Sequence, residues 1–237
     1  MGFWKLDTNK KRDMNHYYKF IPKTFYKLRD SNIIFFYEQD EILEYIKSIC
    51  KTNNFIPIKL PVIELPTYPI TEFYLESCKN QSKKYLKAKW EKGSMHYRRE
   101  YIICGEDNYR KIISIWTSKL LLIKRSIELN PFNSDIFAWA DMSITKRPIA
   151  INYLKYNMNK IITNISPGCV KFKGKSLANA AGFMISSKDT WLKVIPLYEA
   201  KLEEMKNSNY AHDEETIISL VRQENKGLFS NKIKLII

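Results

Sequence analysis

The stretch Asn130-Pro-Phe-Asn-Ser-Asp-Ile-Phe-Ala-Trp-Ala-Asp-Met-Ser-Ile-Thr-Lys146 decides how the rest of the chain is read. Proline disfavours the helical region for its predecessor and cannot itself continue a helix, so Asn130-Pro131 ends the element before it. The apolar run Ile136 to Ala140 has the length of a central strand and is too short for a helix. Asp141 follows at the carboxyl end of that run, where open α/β sheets place their ligands. It is the first candidate for chemistry, set against the plainer reading that it opens a turn or caps the next element.

Upstream, Ile112, Trp116, Leu120, Ile123 and Ile127 recur at spacings of four, four, three and four, which predicts one helix from Asn108 into Asn130. Nearer the start, Met1 to Leu6 reads as a short strand and Met14 to Leu28 as a helix kinked or split by Pro22. Ile33 to Tyr37 reads as a buried strand. Asp40 is placed to cap a helix with the stripe Ile42, Leu43, Tyr45, Ile46 and Ile49, and Phe55 to Ile63 follows as a strand weakened by Pro57 and Pro61. Strand and helix alternate as in a parallel α/β sheet. Pro66 to Glu106 breaks that alternation and reads as an insertion or active-site loop with a short helix near Gln81 to Trp90, or else as a surface excursion with no role.

Downstream, strands are expected at Ile149 to Tyr153 and Lys160 to Ile165, with a turn at Pro167-Gly168. Leu177 to Ser187 reads as small residues approaching something closely, then a strand, with Gly182 leaving room for backbone or ligand. Ser187 caps a helix bearing Trp191, Ile195, Tyr198, Leu202 and Met205, kinked at Pro196. Asp213 opens a helix from Glu214 to Gln223, and Lys226 to Ile237 reads as an edge strand. No repeat or low-complexity linker appears, so a single domain over residues 1–237 is the economical reading, α/β with a mostly parallel central sheet flanked by helices.

Composition agrees with a packed globule: 45% of the 237 residues are hydrophobic and 14% aromatic, which argues against disorder. The formal charge of +14 raises nucleic acid, anionic membrane or phosphorylated ligands as partners. Part of that excess is discounted, because the chain is rich in Lys, Asn, Ile and Tyr, whose codons are A/T-rich. Cys50, Cys78, Cys104 and Cys169 form no CxxC pair, which argues for buried free thiols in a reducing compartment and against a zinc site. No apolar run approaches the roughly 20 residues that span a bilayer, and a cytoplasmic location is expected.

The succession Trp116-Thr-Ser-Lys119, Asn130-Pro-Phe-Asn-Ser-Asp, Phe137-Ala-Trp139-Ala-Asp141, Ala181-Gly-Phe183 and Asp213-Glu214 resembles the HtrL/YibB family, which is similar to nucleotide-diphospho-sugar transferases of the GT-A (Rossmann-like) fold. The resemblance covers roughly Trp116 to Phe229. It implies a GT-A-like domain and a glycosyltransferase that moves a sugar from a nucleotide-sugar, a UDP-sugar first among donors, to an acceptor such as a glycan, protein or small molecule. It places Asp141 at the metal-binding DxD motif, where Mn²⁺ or Mg²⁺ would bridge the diphosphate. Here the pattern departs, because Ser143 stands where the second Asp would be.

Around that frame, Lys119, Asp141, Ser143 and Gly182 are the expected donor-binding positions. Lys119, Lys146 and Arg147 offer charge to offset a diphosphate, set against simple solvated lysines. Asp141 and His212 are the candidate metal ligands. Asp213 and Glu214 are the candidate catalytic carboxylates, set against an N-cap with a first-turn acid. Trp116 and Trp139 are expected in the core. Two other readings stay open: a basic nucleic-acid-binding protein using the Tyr and Lys of Tyr74 to Arg110, and a degenerate transferase fold used as an interaction module.

Overall fold

The computed structural model describes residues 1–6, 13–80, 97–146, 158–172, 175–206 and 213–230. Strands β1 (Gly2–Phe3), β2 (Ile33–Tyr37) and β3 (Phe55–Lys59) form a parallel sheet in the order β1-β2-β3, with Gly2 opposite Phe36 and Ile33 opposite Phe55. Pro22 splits the first helical segment into α1 (Met14–Tyr18) and α2 (Ile21–Lys27), standing in the first turn of α2 where its missing N–H has no helical partner to lose. Helix α3 (Asp40–Ile49) begins one residue earlier than expected. Gln39 is its N-cap residue and Asp40 lies in the first turn, where its carboxylate takes Lys59 Nζ at 2.7 Å. The expected cap is thereby corrected. The Gln39 side chain instead exchanges two hydrogen bonds with the backbone of Lys5, tying the end of β1 to the end of β2. Strand β3 stops at Lys59, short of Ile63, and holds Pro57 because it lies at the sheet edge.

The expected loop after Pro66 is a run of turns over residues 66–70 and then largely helical where it is described. Helix α4 (Thr71–Asn80) leads towards a π-helical turn at Tyr97–Ile102, while Gln81 to Trp90 lies outside the described residues. The single helix expected from Asn108 is two, α5 (Glu106–Thr117) and α6 (Lys119–Leu129), meeting at Ser118. Two side chains mark the joint: the Tyr198 hydroxyl donates to the carbonyl of Thr117 at 2.9 Å, and Thr67 Oγ1 lies 2.7 Å and 2.8 Å from the hydroxyls of Thr117 and Ser118. Side chains inserted at a helical ladder are a usual cause of such breaks. Asn130 then ends α6 in the left-handed conformation, with φ 31°, and its side chain accepts from Ser134 N.

Strand β4 (Ile136–Ala140) pairs antiparallel with β6 (Lys175–Ser187), which pairs antiparallel with β5 (Ile162–Phe172). The mostly parallel sheet expected from sequence is therefore corrected to a mixed arrangement, a parallel trio beside an antiparallel trio in the order β4-β6-β5. In hydrogen bonding β4 stands at the end of its trio and not at the centre of a sheet. Pro167 and Gly168 fall inside β5, at a register shift between Ile165 and Val170, so the expected turn is a break in pairing within a strand. Ser187 caps α7 (Lys188–Met205), which includes Pro196, and Asp213 caps α8 (Glu214–Glu224). Ile149 to Tyr153 and most of the expected last strand lie outside the described residues.

The two trios share their cores. Trp4, Phe36, Trp139, Met184 and Ile161 belong to one buried cluster, and their neighbours Phe3, Phe35, Ala140, Phe183 and Ile162 to another. Successive strand residues point to opposite faces, so each cluster is one face of the strand layer. Helices α4 to α8 supply the first cluster through Tyr74, Tyr109, Leu120, Trp191 and Ile217, while α2 and α3 supply the second through Ile21, Phe25 and Ile46. Strands covered on both faces by helices make an α/β layered architecture. Among the described residues no helix is long and apolar enough to cross a membrane.

Candidate functional site

Strands β1 and β4 end at one cavity of about 120 Å³. Its lining includes Phe3, Trp4 and Leu6 from the end of β1, Trp139, Asp141 and Ser143 from the end of β4, Trp116 and Lys119 from the α5–α6 joint, Tyr17 and Glu100. Four of these follow from strand geometry: a strand that ends at a layer edge delivers its next residues to that edge. The α5–α6 break delivers two more, because Trp116 and Lys119 lie on either side of Ser118 and both reach the same opening.

At its centre is a buried cation. Lys119, 4% exposed, sets Nζ 2.9 Å from Asp141 Oδ1 and 2.8 Å from Glu214 Oε1, and donates to the carbonyl of Ala181 at 3.4 Å. Trp139 Nε1 donates to Asp141 Oδ1 at 2.7 Å. That indole and carboxylate lie two residues apart on a strand and so share a face. The Asp141 amide donates to the carbonyl of Gly182 at 2.8 Å, fixing the backbone under the carboxylate.

One ammonium facing two carboxylates leaves an excess negative charge in a desolvated place, and the more buried acid gives way. Burial pushes the Glu214 carboxyl up to about 8, with Lys119 pulling against it and Asp213 and Glu215 adding to the rise. Burial alone would lower the pKa of Lys119, but the Asp141 and Glu214 carboxylates reverse that and hold it above its ordinary value. Near neutral pH the arrangement is an ion pair of Lys119 with Asp141, backed by a Glu214 that holds its proton. Asp141 is the member that reaches solvent, with 36% of its side chain exposed against 5% for Lys119 and 6% for Glu214.

The structure brings Lys119, Asp141, Gly182 and Glu214 together and gives them different tasks. Gly182 does not line the cavity. A Cβ there would lie 3.2 Å from Ile144 Cδ1 and 3.3 Å from Asp141 Oδ2, so the bare backbone makes room for Asp141 itself. Glu214 reaches the cavity only through Lys119. Asp213 is 3% exposed and its Oδ1 accepts from both N and Oγ1 of Thr216, the work of an N-cap. Ser143, 5% exposed, lines the cavity beside Asp141. Trp139 is core, whereas Trp116 is half-buried on the cavity wall and departs from the expectation for it.

A divalent cation does not fit this donor set. Of the two carboxylates that line the cavity, Glu100 is 1% exposed, and Asp141 already has the ammonium of Lys119 2.9 Å and 3.3 Å from its two oxygens. Among the described residues no three His, Cys, Asp or Glu side chains come together as metal ligands, and His212 lies outside them. Arg147 and the side chain of Lys146 also lie outside the described residues. Of the tyrosines offered for base stacking, Tyr74 and Tyr109 are buried and Tyr101 is half-buried, while Tyr85 and the side chain of Tyr97 lie outside the described residues.

Sequence reading missed three participants. Glu100 is a cavity-lining carboxylate only 1% exposed, Trp4 walls the cavity with its Nε1 bonded to the carbonyl of Leu60 at 2.8 Å, and Glu215 accepts from Ala181 N at 3.3 Å. The Trp-x-Asp spacing signalled the Trp139 bond to Asp141, but nothing local marked Glu100. Comparison of the chain with protein-family models, with curated proteins and with solved structures finds no match.

Proposed function

We propose that the protein is a glycosyltransferase-like enzyme with a GT-A-like fold, taking a nucleotide-sugar donor in the cavity at the ends of β1 and β4. The observation that carries this reading is the convergence of two strand ends on one cavity lined by two carboxylates, an ammonium, two hydroxyl-bearing residues and three indoles. Crevices outside the carboxyl ends of strands, where two halves of an α/β layer meet, are where such folds bind nucleotides. Indole faces offer apolar surface to a sugar or base ring. Asp141, oriented by Lys119 and Trp139, offers carboxylate oxygen to sugar or ribose hydroxyls, and Ser143 adds a second polar contact. The cavity is smaller than the roughly 300–1,000 Å³ of typical ligand sites, so a nucleotide-sugar would extend beyond it.

The charge of Lys119 is neutralised locally, so binding rests on hydrogen bonds and ring contacts and needs no divalent cation from the described residues. Calorimetric titration with a panel of UDP-, GDP- and CMP-sugars, with and without Mn²⁺, tests the reading. Saturable binding of one nucleotide class in the absence of metal is expected. Failure of every nucleotide-sugar to bind, with or without Mn²⁺, removes the proposal.

A further inference from the structure

Lys119 is the first residue of α6, so its backbone follows directly from the joint at Ser118. Its ammonium has little latitude: from a position 4% exposed it meets Asp141 Oδ1 at 2.9 Å and Glu214 Oε1 at 2.8 Å. Groups that form a site are kept in place by hydrogen bonds behind them, and a looseness of about 0.5 Å already degrades such an arrangement. The support behind Lys119 comes from Thr67, in the run of turns over residues 66–70.

Thr67 is fully buried, and its one hydroxyl meets the joint at three points. Thr67 Oγ1 donates to the carbonyl of Ser114 at 3.0 Å and lies 2.7 Å from Thr117 Oγ1 and 2.8 Å from Ser118 Oγ. Its amide adds a fourth contact, donating to Ser118 Oγ at 3.3 Å. The Ser114 carbonyl also takes the Ser118 amide at 3.0 Å, so one acceptor ties the end of α5 to the joint and to Thr67. From α7, the Tyr198 hydroxyl takes the Thr117 carbonyl, which an unbroken helix would give to the amide of Leu121. Thr67, Thr117 and Ser118 stand behind the cavity wall, outside its lining.

We infer that Thr67 is a positioning residue of the candidate donor site, acting through Ser118 to hold the Lys119 ammonium against Asp141; the inference rests on the glycosyltransferase reading. Loss of the hydroxyl releases Ser118 from its anchor, and the start of α6 shifts with it. Lys119 then no longer spans both carboxylates at hydrogen-bond distance. Asp141 loses the cation that orients it toward the cavity and keeps the Trp139 indole as its other contact.

The test uses the full chain as wild type, Thr67→Val, Thr67→Ser and, for comparison, Ser186→Ala. Ser186 is a fully buried hydroxyl on β6 whose partners are the carbonyls of Met158 and Lys160, so its loss disturbs the core without touching the joint. Two quantities are read at a temperature where all four are folded. One is the Trp139 indole N–H resonance in a proton–nitrogen correlation spectrum, identified by its absence in Trp139→Phe, which reports on the carboxylate that Lys119 holds. The other is calorimetric affinity for the UDP-, GDP- or CMP-sugar that binds wild type.

Thr67→Val is expected to move the indole resonance and to weaken donor binding by about tenfold. Thr67→Ser, which restores the oxygen, and Ser186→Ala should keep the resonance in place and the affinity within about twofold of wild type. An unmoved indole resonance in Thr67→Val overturns the assignment whatever the donor does. So does a wild-type affinity in Thr67→Val, an equal loss in Ser186→Ala, or failure of Thr67→Ser to restore both readings. If Thr67→Val does not fold, Ser118→Ala removes the same hydroxyl contact from the other side, and wild-type readings there overturn the assignment too. Absence of donor binding by wild type is the separate result that removes the transferase reading; the indole resonance then still decides whether Thr67 holds the Lys119–Asp141 pair.

Discussion

The ammonium of Lys119 lies 2.8 Å from Oε1 of Glu214, a residue 95 positions further along the chain, and the same nitrogen holds Asp141 at 2.9 Å. Replacing the cation therefore takes the charge partner from Asp141 and the neighbour from the buried carboxyl group of Glu214 at once. Lys119→Met should destabilise the fold by about 3–5 kcal/mol, the usual result of removing one partner from a buried ion pair. Chemical denaturation measures this directly. The double variant Lys119→Met/Glu214→Leu should recover part of the loss, because it removes a buried acid along with its partner.

The raised pKa of Glu214 makes stability depend on pH in a defined sense. The folded state holds this proton more tightly than the unfolded chain, so the contribution is full below the ordinary value of 4.5 and is lost as pH rises towards about 8. Over that window the group removes at most about 1.4 kcal/mol per pH unit, roughly 3–6 °C in Tm. Glu214→Gln should flatten the decline between pH 5 and 8. A melting series in which wild type and variant fall in parallel would contradict the assignment.

Trp139→Phe keeps a large ring in the core and deletes the donor to Asp141. A loss of about 1–2 kcal/mol is expected, limited because solvent can partly replace a bond to a half-exposed carboxylate. If the donor binds through Asp141, its affinity should fall about tenfold in the same variant.

Gly182→Ala separates fold from site. The new methyl would press on the terminal methyl of Ile144, which can swing aside, and on the Asp141 carboxylate, which cannot do so without leaving Lys119 or Trp139. Stability should change by about 1 kcal/mol or less. Donor affinity should fall by about tenfold or more, as calorimetry would show.

Gly2→Ala is expected to be worse tolerated. A Cβ at Gly2 would lie 2.5 Å from the Trp4 ring, whose Nε1 is anchored on the carbonyl of Leu60 in the core. The ring has to leave that anchor or β1 has to shift from Phe36, so a loss of about 1–3 kcal/mol follows, read by denaturant titration.

Much of the fold was legible because the signals are local. Ile33 to Tyr37 and Ile136 to Ala140 read as strands from length and composition, and Ser187 and Asp213 announced their helices as capping residues, each bonding a backbone N–H three residues on. The misread segments involved partners from elsewhere. The joint at Ser118 depends on Thr67 and Tyr198, and the direction of β6 against β4 depends on a pairing of segments some 45 residues apart. An apolar run carries no mark of the direction in which its neighbour runs.

The site divides in the same way. By itself the sequence determined that an acid follows the apolar strand β4, that Trp139 belongs to that strand, and that glycine at position 182 and acids at 213 and 214 stand further along. Tertiary structure decided what each does. It set Lys119 between Asp141 and Glu214, used Asp213 on Thr216, gave the space over Gly182 to Asp141, and brought Glu100 to the cavity from the π-helical turn. The physical reason is that charge pairing and burial depend on distance in space, and a carboxyl group acquires its proton affinity from neighbours that chain order does not name.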